Sequence, residues 1–171
     1  MPKMDLETLR DMQPSRPAEL DRLAPFIGRW EGKGELKMSV LDEVLPMTGI
    51  SENSWDCDGW CMVERDHYEM GDLGSVTDVS VWTWDAKART FRIARFDSVG
   101  GAAAGTADYD ERSQCWKLKS GTRTPWGKMQ SRGTVRMVDE DTVEWTWDEW
   151  PGWDWLRLFK IAEMKGTNQR R

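Results

Sequence analysis

The residues best placed to do chemistry in this chain are aromatic before they are ionisable. Val81-Trp82-Thr83-Trp84-Asp85 and Glu144-Trp145-Thr146-Trp147-Asp148 each set two indoles two residues apart. In an extended strand such residues share a face. Turned inward, Trp82, Trp84, Trp145 and Trp147 would wall a cavity of the size that takes a small apolar ligand; turned outward, they would mark an association surface. The cost of exposing that much indole favours the inward arrangement. Among charged residues, Arg157 alternates with Trp155 and Phe159 in an otherwise apolar segment. A guanidinium in that company can fix a ligand carboxylate through two parallel hydrogen bonds. Asp97 is placed either to pair with it or to begin a turn. Arg92 shares its face only with Ala94 and Phe96. The expected ligand-binding set is therefore Trp82, Trp84, Trp145, Trp147, Arg157, Phe159 and Asp97.

Other reactive side chains point elsewhere. His67 is the one histidine, within Glu64-Arg65-Asp66-His67-Tyr68-Glu69. Alternation puts it on a face with Arg65 and Glu69, away from Asp66, so a solvated outer position is expected and no catalytic role is assigned. Cys57, Cys61 and Cys115 are three thiols, an odd number that favours reduced cysteines over a disulfide framework. Their spacing is not that of a zinc knuckle, and no metal is expected. No nucleophile elbow, phosphate loop, dinucleotide fingerprint or metalloprotease helix occurs.

The 171 residues carry 30 acidic and 24 basic side chains, a net charge of −6, and a mean hydropathy of −0.71. Nucleic acids and anionic membrane surfaces are poor partners for such a chain, because both reward clustered cations. No apolar run approaches the ~20 residues of a membrane span, and the first residues lack a signal-peptide core. The expected location is the cytoplasm.

The elements that must position these residues are strands. Only residues 1–25 have helical character, with Leu6, Leu9 and Met12 three apart before Pro14 and Pro17 interrupt, and Glu19-Leu20-Asp21-Arg22-Leu23 able to add one turn before Pro25. They are read as an N-terminal arm whose short helix packs on or plugs the domain after it, and 26–166 as one β-domain. From Ile27 the period becomes two, and about ten strands are expected, the last over Trp153–Glu163. Asp56-Cys57-Asp58-Gly59, Asp85-Ala86-Lys87-Ala88, Asp110-Glu111-Arg112-Ser113 and Asp139-Glu140-Asp141 supply turn chemistry between neighbouring strands. An antiparallel meander of that length is expected to curl into a closed barrel, since closure removes its edges.

Leu23-Ala24-Pro25-Phe26-Ile27-Gly28-Arg29-Trp30-Glu31-Gly32 resembles the opening of several calycin-type barrels, where a short helix leads into a Gly-x-Trp strand. Met70-Gly71-Asp72-Leu73-Gly74, the first Trp-Thr-Trp segment, Phe96-Asp97-Ser98-Val99-Gly100 and Gly105-x-x-Asp108 resemble a bacterial domain-of-unknown-function family, number fifteen seventy-nine. The resemblance runs from about Pro17 to Lys165 and implies an all-β, antiparallel calycin-like barrel of lipocalin or fatty-acid-binding-protein type. The first strand is also similar to that of nitrobindin-like haem barrels. That likeness implies a histidine ligand near the C-terminal end, but the expected last strand has none, so no cofactor is expected. The resulting reading is a barrel, expected to be a homodimer, that binds a small apolar or amphipathic ligand in a Trp-lined cavity. The alternatives are a cofactor-independent enzyme using an inward pair such as Arg157 with Asp97 or Glu144, and a homodimeric module associating through the Trp150–Trp155 hairpin.

Overall fold

In the computed structural model, which describes residues 5–125, 127–152 and 159–171, the period-two segments pair into antiparallel strands. They are β1 (Gly28–Met38), β2 (Val44–Asp56), β3 (Cys61–Glu69), β4 (Ser75–Asp85), β5 (Thr90–Asp97), β6 (Ala102–Asp110), β7 (Cys115–Thr124), β8 (Gly127–Asp139), β9 (Thr142–Pro151) and β10 (Ala162–Arg170). Each bonds to its neighbours in sequence, and β1 pairs with β10 from Trp30↔Arg170 to Met38↔Ala162, closing the barrel. The aspartate-led turns form as their chemistry requires. Asp85 Oδ1 accepts the backbone N–H of Lys87 at 3.1 Å and of Ala88 at 2.9 Å. Asp110 accepts from Arg112, and Asp139 from Asp141, in the same way.

Among the described residues the last strand is Ala162–Arg170, which overlaps the expected Trp153–Glu163 only at Ala162 and Glu163; residues 153–158 of that expectation lie outside the described residues. The inward positions of β10 are Ala162, Met164, Gly166, Asn168 and Arg170, small or polar because bulky partners fill the space opposite. A Cβ on Gly166 would sit 2.6 Å from Cζ2 of Trp145, while the Trp145 indole donates to Asn168 Oδ1 at 2.9 Å. The Arg170 guanidinium lies over the Trp30 ring, 4.3 Å from its centre, and donates to the Ile27 carbonyl at 2.7 Å. A strand built this way shows no apolar alternation to read.

The N-terminal arm forms two short helical segments, of which the second is the plug. The helix carrying Leu6 and Leu9, α1 (Leu6–Asp11), buries nothing. The barrel is sealed instead by a 3-10 helix, Ala18–Phe26, whose Leu20 and Leu23 are 0% and 1% exposed. Proline bounds this segment: Pro17 holds the extended backbone that opens it, and Pro25 closes it. Its carbonyl at Phe26 receives the Trp30 indole at 2.8 Å and the Asn53 side chain at 2.9 Å. Leu20 and Leu23 pack against Met62, Trp82, Phe91, Trp116 and Leu118. A second apolar cluster, Leu36, Leu45, Met47 and Ala162, fills the wall formed by β1, β2 and β10.

Replacing Leu23 by Ala is expected to lower unfolding stability by about 3 kcal/mol, the usual cost of emptying a sealed leucine site. Leu9→Ala is expected to change it by less than about 0.5 kcal/mol. Urea unfolding with an unchanged slope measures both, and the reverse ranking would place the plug in the wrong segment.

Candidate functional site

The pleat of β3, β4 and β5 turns an unusual set of ionisable groups inward. Ser51, Asp66, Asp78 and Asp97 are register partners across β2 to β5, so three aspartates stand side by side. The next inward row is Asn53, Glu64, Ser80 and Arg95. Directly opposed side chains on one face have Cβ atoms about 5 Å apart. Arg95 answers this charge, its Nη2 lying 2.7 Å from Asp78 Oδ2, with 35% of its side chain exposed against 1% for the aspartate. Beyond that ion pair, Asp66 Oδ1, Asp78 Oδ1 and Arg95 Nε have no hydrogen-bond partner among the described residues.

Burial sets the protonation of this belt. Loss of water, with Asp66 and Asp97 nearby, pushes Asp78 up to about 7, although Arg95 opposes the rise. Asp66 is raised by burial against the pull of Ser51, Tyr68 and Arg95. Glu64 is pushed well up by burial and by the two aspartates, while the Trp82 indole donates to it at 3.1 Å. Glu149 is raised by burial, tempered first by Arg95, and accepts from the Trp147 indole at 3.3 Å. Each carboxyl therefore holds its proton to higher pH than a solvated one.

Around the belt the barrel divides along its axis. Toward the plug, Trp82, Phe91, Trp116 and Leu118 pack closely, with Phe91 and Trp116 ring centres 4.9 Å apart. Toward the other end, the inner faces of β6 and β7 carry Ala103, Gly105, Ser120 and Thr122, all only half-buried. Short side chains opposite a half-exposed arginine leave this end of the interior accessible.

The expected binding residues are distributed unevenly over this framework. Trp82, Trp84 and Trp147 point inward and join the plug-side packing, whereas Trp145 belongs to the second apolar cluster. The four indoles therefore border two regions rather than one. Asp97 begins a turn: its Oδ1 accepts the N–H of Gly101 at 2.6 Å and of Val99 at 3.1 Å. Phe159 is 67% exposed. Arg157, like Trp153 and Trp155, lies outside the described residues. Glu144 is outward and paired with Arg136 at 2.6 Å. An inward ionisable pair does exist, in Asp78 with Arg95. Alternation alone could have flagged Arg95, which shares its face with Phe91 and Ile93, but Phe96 on the opposite face is apolar too and masks the distinction.

His67 is exposed and bonds Glu69 at 2.9 Å, as the alternation predicts. Cys61 is pushed up to about 11 by burial and by the neighbouring Cys57, so it is a thiol at neutral pH. Among the described residues no three His, Cys, Asp or Glu side chains converge to hold a metal ion, and no helix is long and apolar enough to cross a membrane.

No family model matches the chain, and no curated protein matches it. Its fold is similar to that in the crystal structure of Rv2717c from M. tuberculosis, with a TM-score of 0.67 over 92% of this chain and 99% of that one, at 10% sequence identity. A likeness at that identity establishes the barrel architecture alone.

The raised carboxyls set the sign of the pH dependence. An unfolded chain releases these protons near pH 4, while the folded chain keeps them until about 7 at Asp78. Between those values the folded state binds more protons, so its stability falls as pH rises. The melting temperature is expected to be several degrees lower at pH 8 than at pH 5.5, and Asp78→Asn to flatten that slope. Scanning calorimetry at the two pH values decides it; a rise in melting temperature with pH would contradict the assigned shifts.

Proposed function

We propose that this barrel binds a small amphipathic molecule in the accessible end of its interior, with an ammonium or other hydrogen-bond donor as the ligand's head. One observation carries the reading: Asp66 and Asp78 are buried register partners, and Asp66 Oδ1 and Asp78 Oδ1 lack partners among the described residues, Arg95 taking only Asp78 Oδ2. Unpaired buried acceptors of this kind cost about 1–3 kcal/mol each, which a donor-bearing ligand would recover. The apolar body would lie against Ile93, Gly105 and Ser120, on the side of the belt away from the plug. The calycin-like resemblance of the sequence supports an interior site of this type.

A carboxylate head is the poorer fit. Arg95 is already engaged by Asp78, and Glu64, Asp66 and Glu149 surround it. An added anion would meet like charge from several sides in a poorly solvated space. The inward arginine thus serves here to hold a buried acid in place, and the ligand's charge preference is opposite to that of a fatty-acid site.

2-Phenylethylamine is expected to change the tryptophan emission saturably, and 3-phenylpropanoate not to displace it. Amine affinity should strengthen as pH rises through about 7, because Asp78 ionises there, and Asp78→Asn should weaken it about tenfold. A saturating titration in which the carboxylate displaces the amine would overturn the assignment, as would an amine affinity unchanged in Asp78→Asn.

A further inference from the structure

A concavity lies outside the barrel. It encloses about 740 Å³ against the outer face of β4 to β9, within the range of small-molecule sites. Its axis is an outward row of register partners, Val81, Ala94, Ala104, Gly121, Gln130 and Trp150. At the usual strand spacing this row is about 24 Å long. The floor is low because its middle positions are alanine and glycine, and the Trp150 indole stands at one end.

Gly121 has no structural reason to be glycine. Its φ lies outside the left-handed region, and a Cβ there would meet nothing within 4 Å. Glycine inside a strand weakens it, and where backbone geometry does not demand it, it marks a place where something else approaches the main chain. The charges agree. Lys119 stands opposite Arg132 on one side of the floor, and Arg123 opposite Lys128 on the other. Like charges facing one another across strands are destabilising, yet none of the four has a carboxylate within 4 Å among the described residues; Asp148, the register partner of Arg132 on β9, is held instead by Lys160 at 2.8 Å. Among the described residues no carboxylate lines the groove, although the chain has a net charge of −6. Arg132 also lies 5.9 Å from the centre of the Trp150 ring.

We infer that this groove is a second binding site, separate from the interior, for a small organic anion with a flat apolar body. The anionic head bridges Lys119 and Arg132, where it relieves their repulsion. The body lies on Ala104 and Gly121 with an edge against Trp150. The charge complementarity is opposite to that of the interior, so the two sites select different ligands.

Naphthalene-2-sulfonate is the probe, titrated by calorimetry at low and at moderate salt, with (2-naphthyl)methylammonium as its cationic counterpart. The sulfonate is expected to bind and the ammonium not to compete with it, with affinity falling as salt rises. Gly121→Val raises the floor from a position where a Cβ meets nothing within 4 Å, and should abolish binding while leaving the melting temperature unchanged or raised. Lys119→Gln with Arg132→Gln should weaken binding at least about tenfold, and Lys87→Gln, an exposed cation in the β4–β5 turn, should not. Sulfonate binding that survives both groove variants would overturn the inference, as would no binding to the unaltered chain. Sedimentation of the unaltered chain as a dimer that Gly121→Val converts to monomer would assign the groove to a second copy instead. Gly121→Val leaves the interior intact, so titrating it with 2-phenylethylamine tests the interior reading separately.

Discussion

Closure of β1 on β10 is the constraint on which the rest of this structure depends. Once the ladder has no ends, every strand's register is tied to both neighbours, and a one-residue slip anywhere would turn a whole row of side chains inside out. The closing pair is secured by side chains as well as by the ladder. Arg170, near the C-terminal end of β10, covers Trp30 on β1 and donates to the carbonyl of Ile27. Trp30 in turn donates to Phe26, the last residue of the plugging helix. One arginine thus joins the seam, the aromatic end wall and the plug.

With the registers fixed, the pleat sorts charge between two surfaces. Inside, Asp66, Asp78 and Glu64 gather about Arg95, and burial holds them toward the protonated state. Outside, Lys119 faces Arg132 and Arg123 faces Lys128 across β7 and β8, while Asp148, opposite Arg132 on β9, is held by Lys160. Neither arrangement is what stability alone would select, since a buried acid and an opposed pair of cations both oppose folding. Both become reasonable if each awaits a ligand of the complementary sign. The apolar packing beside the plug is large enough to carry those local penalties, which fits the general rule that strained or unsatisfied groups collect at sites.

The parts of the fold that were legible in the sequence rest on local physics. The aspartate turns formed because an Asp side chain caps the backbone two and three residues on, wherever the chain is. Trp82, Trp84, Trp145 and Trp147 went inward because that much indole is costly to expose, and His67 stayed outside among its charges. The signals that failed did so for equally definite reasons. β10 was hidden because its inward positions are small or polar to make room for Trp145 and Trp30, two side chains on other strands. Of the two N-terminal helical segments, the turn with Leu20 and Leu23 before Pro25 is the one that seals the barrel end, and the regular Leu6–Met12 spacing buries nothing.

Composition and periodicity by themselves therefore determined that this chain is an antiparallel β-structure with an aromatic interior and an acidic balance. Alternation assigns residues to two faces of each strand, but it does not say which residues of different strands stand opposite one another. That pairing, decided only when the barrel closes, set Asp66 against Asp78 and brought both to Arg95. It also laid Ala94, Ala104 and Gly121 in one outer row between two pairs of cations. Both candidate sites are properties of register, a relation between residues distant in sequence, and so they exist only in the tertiary structure.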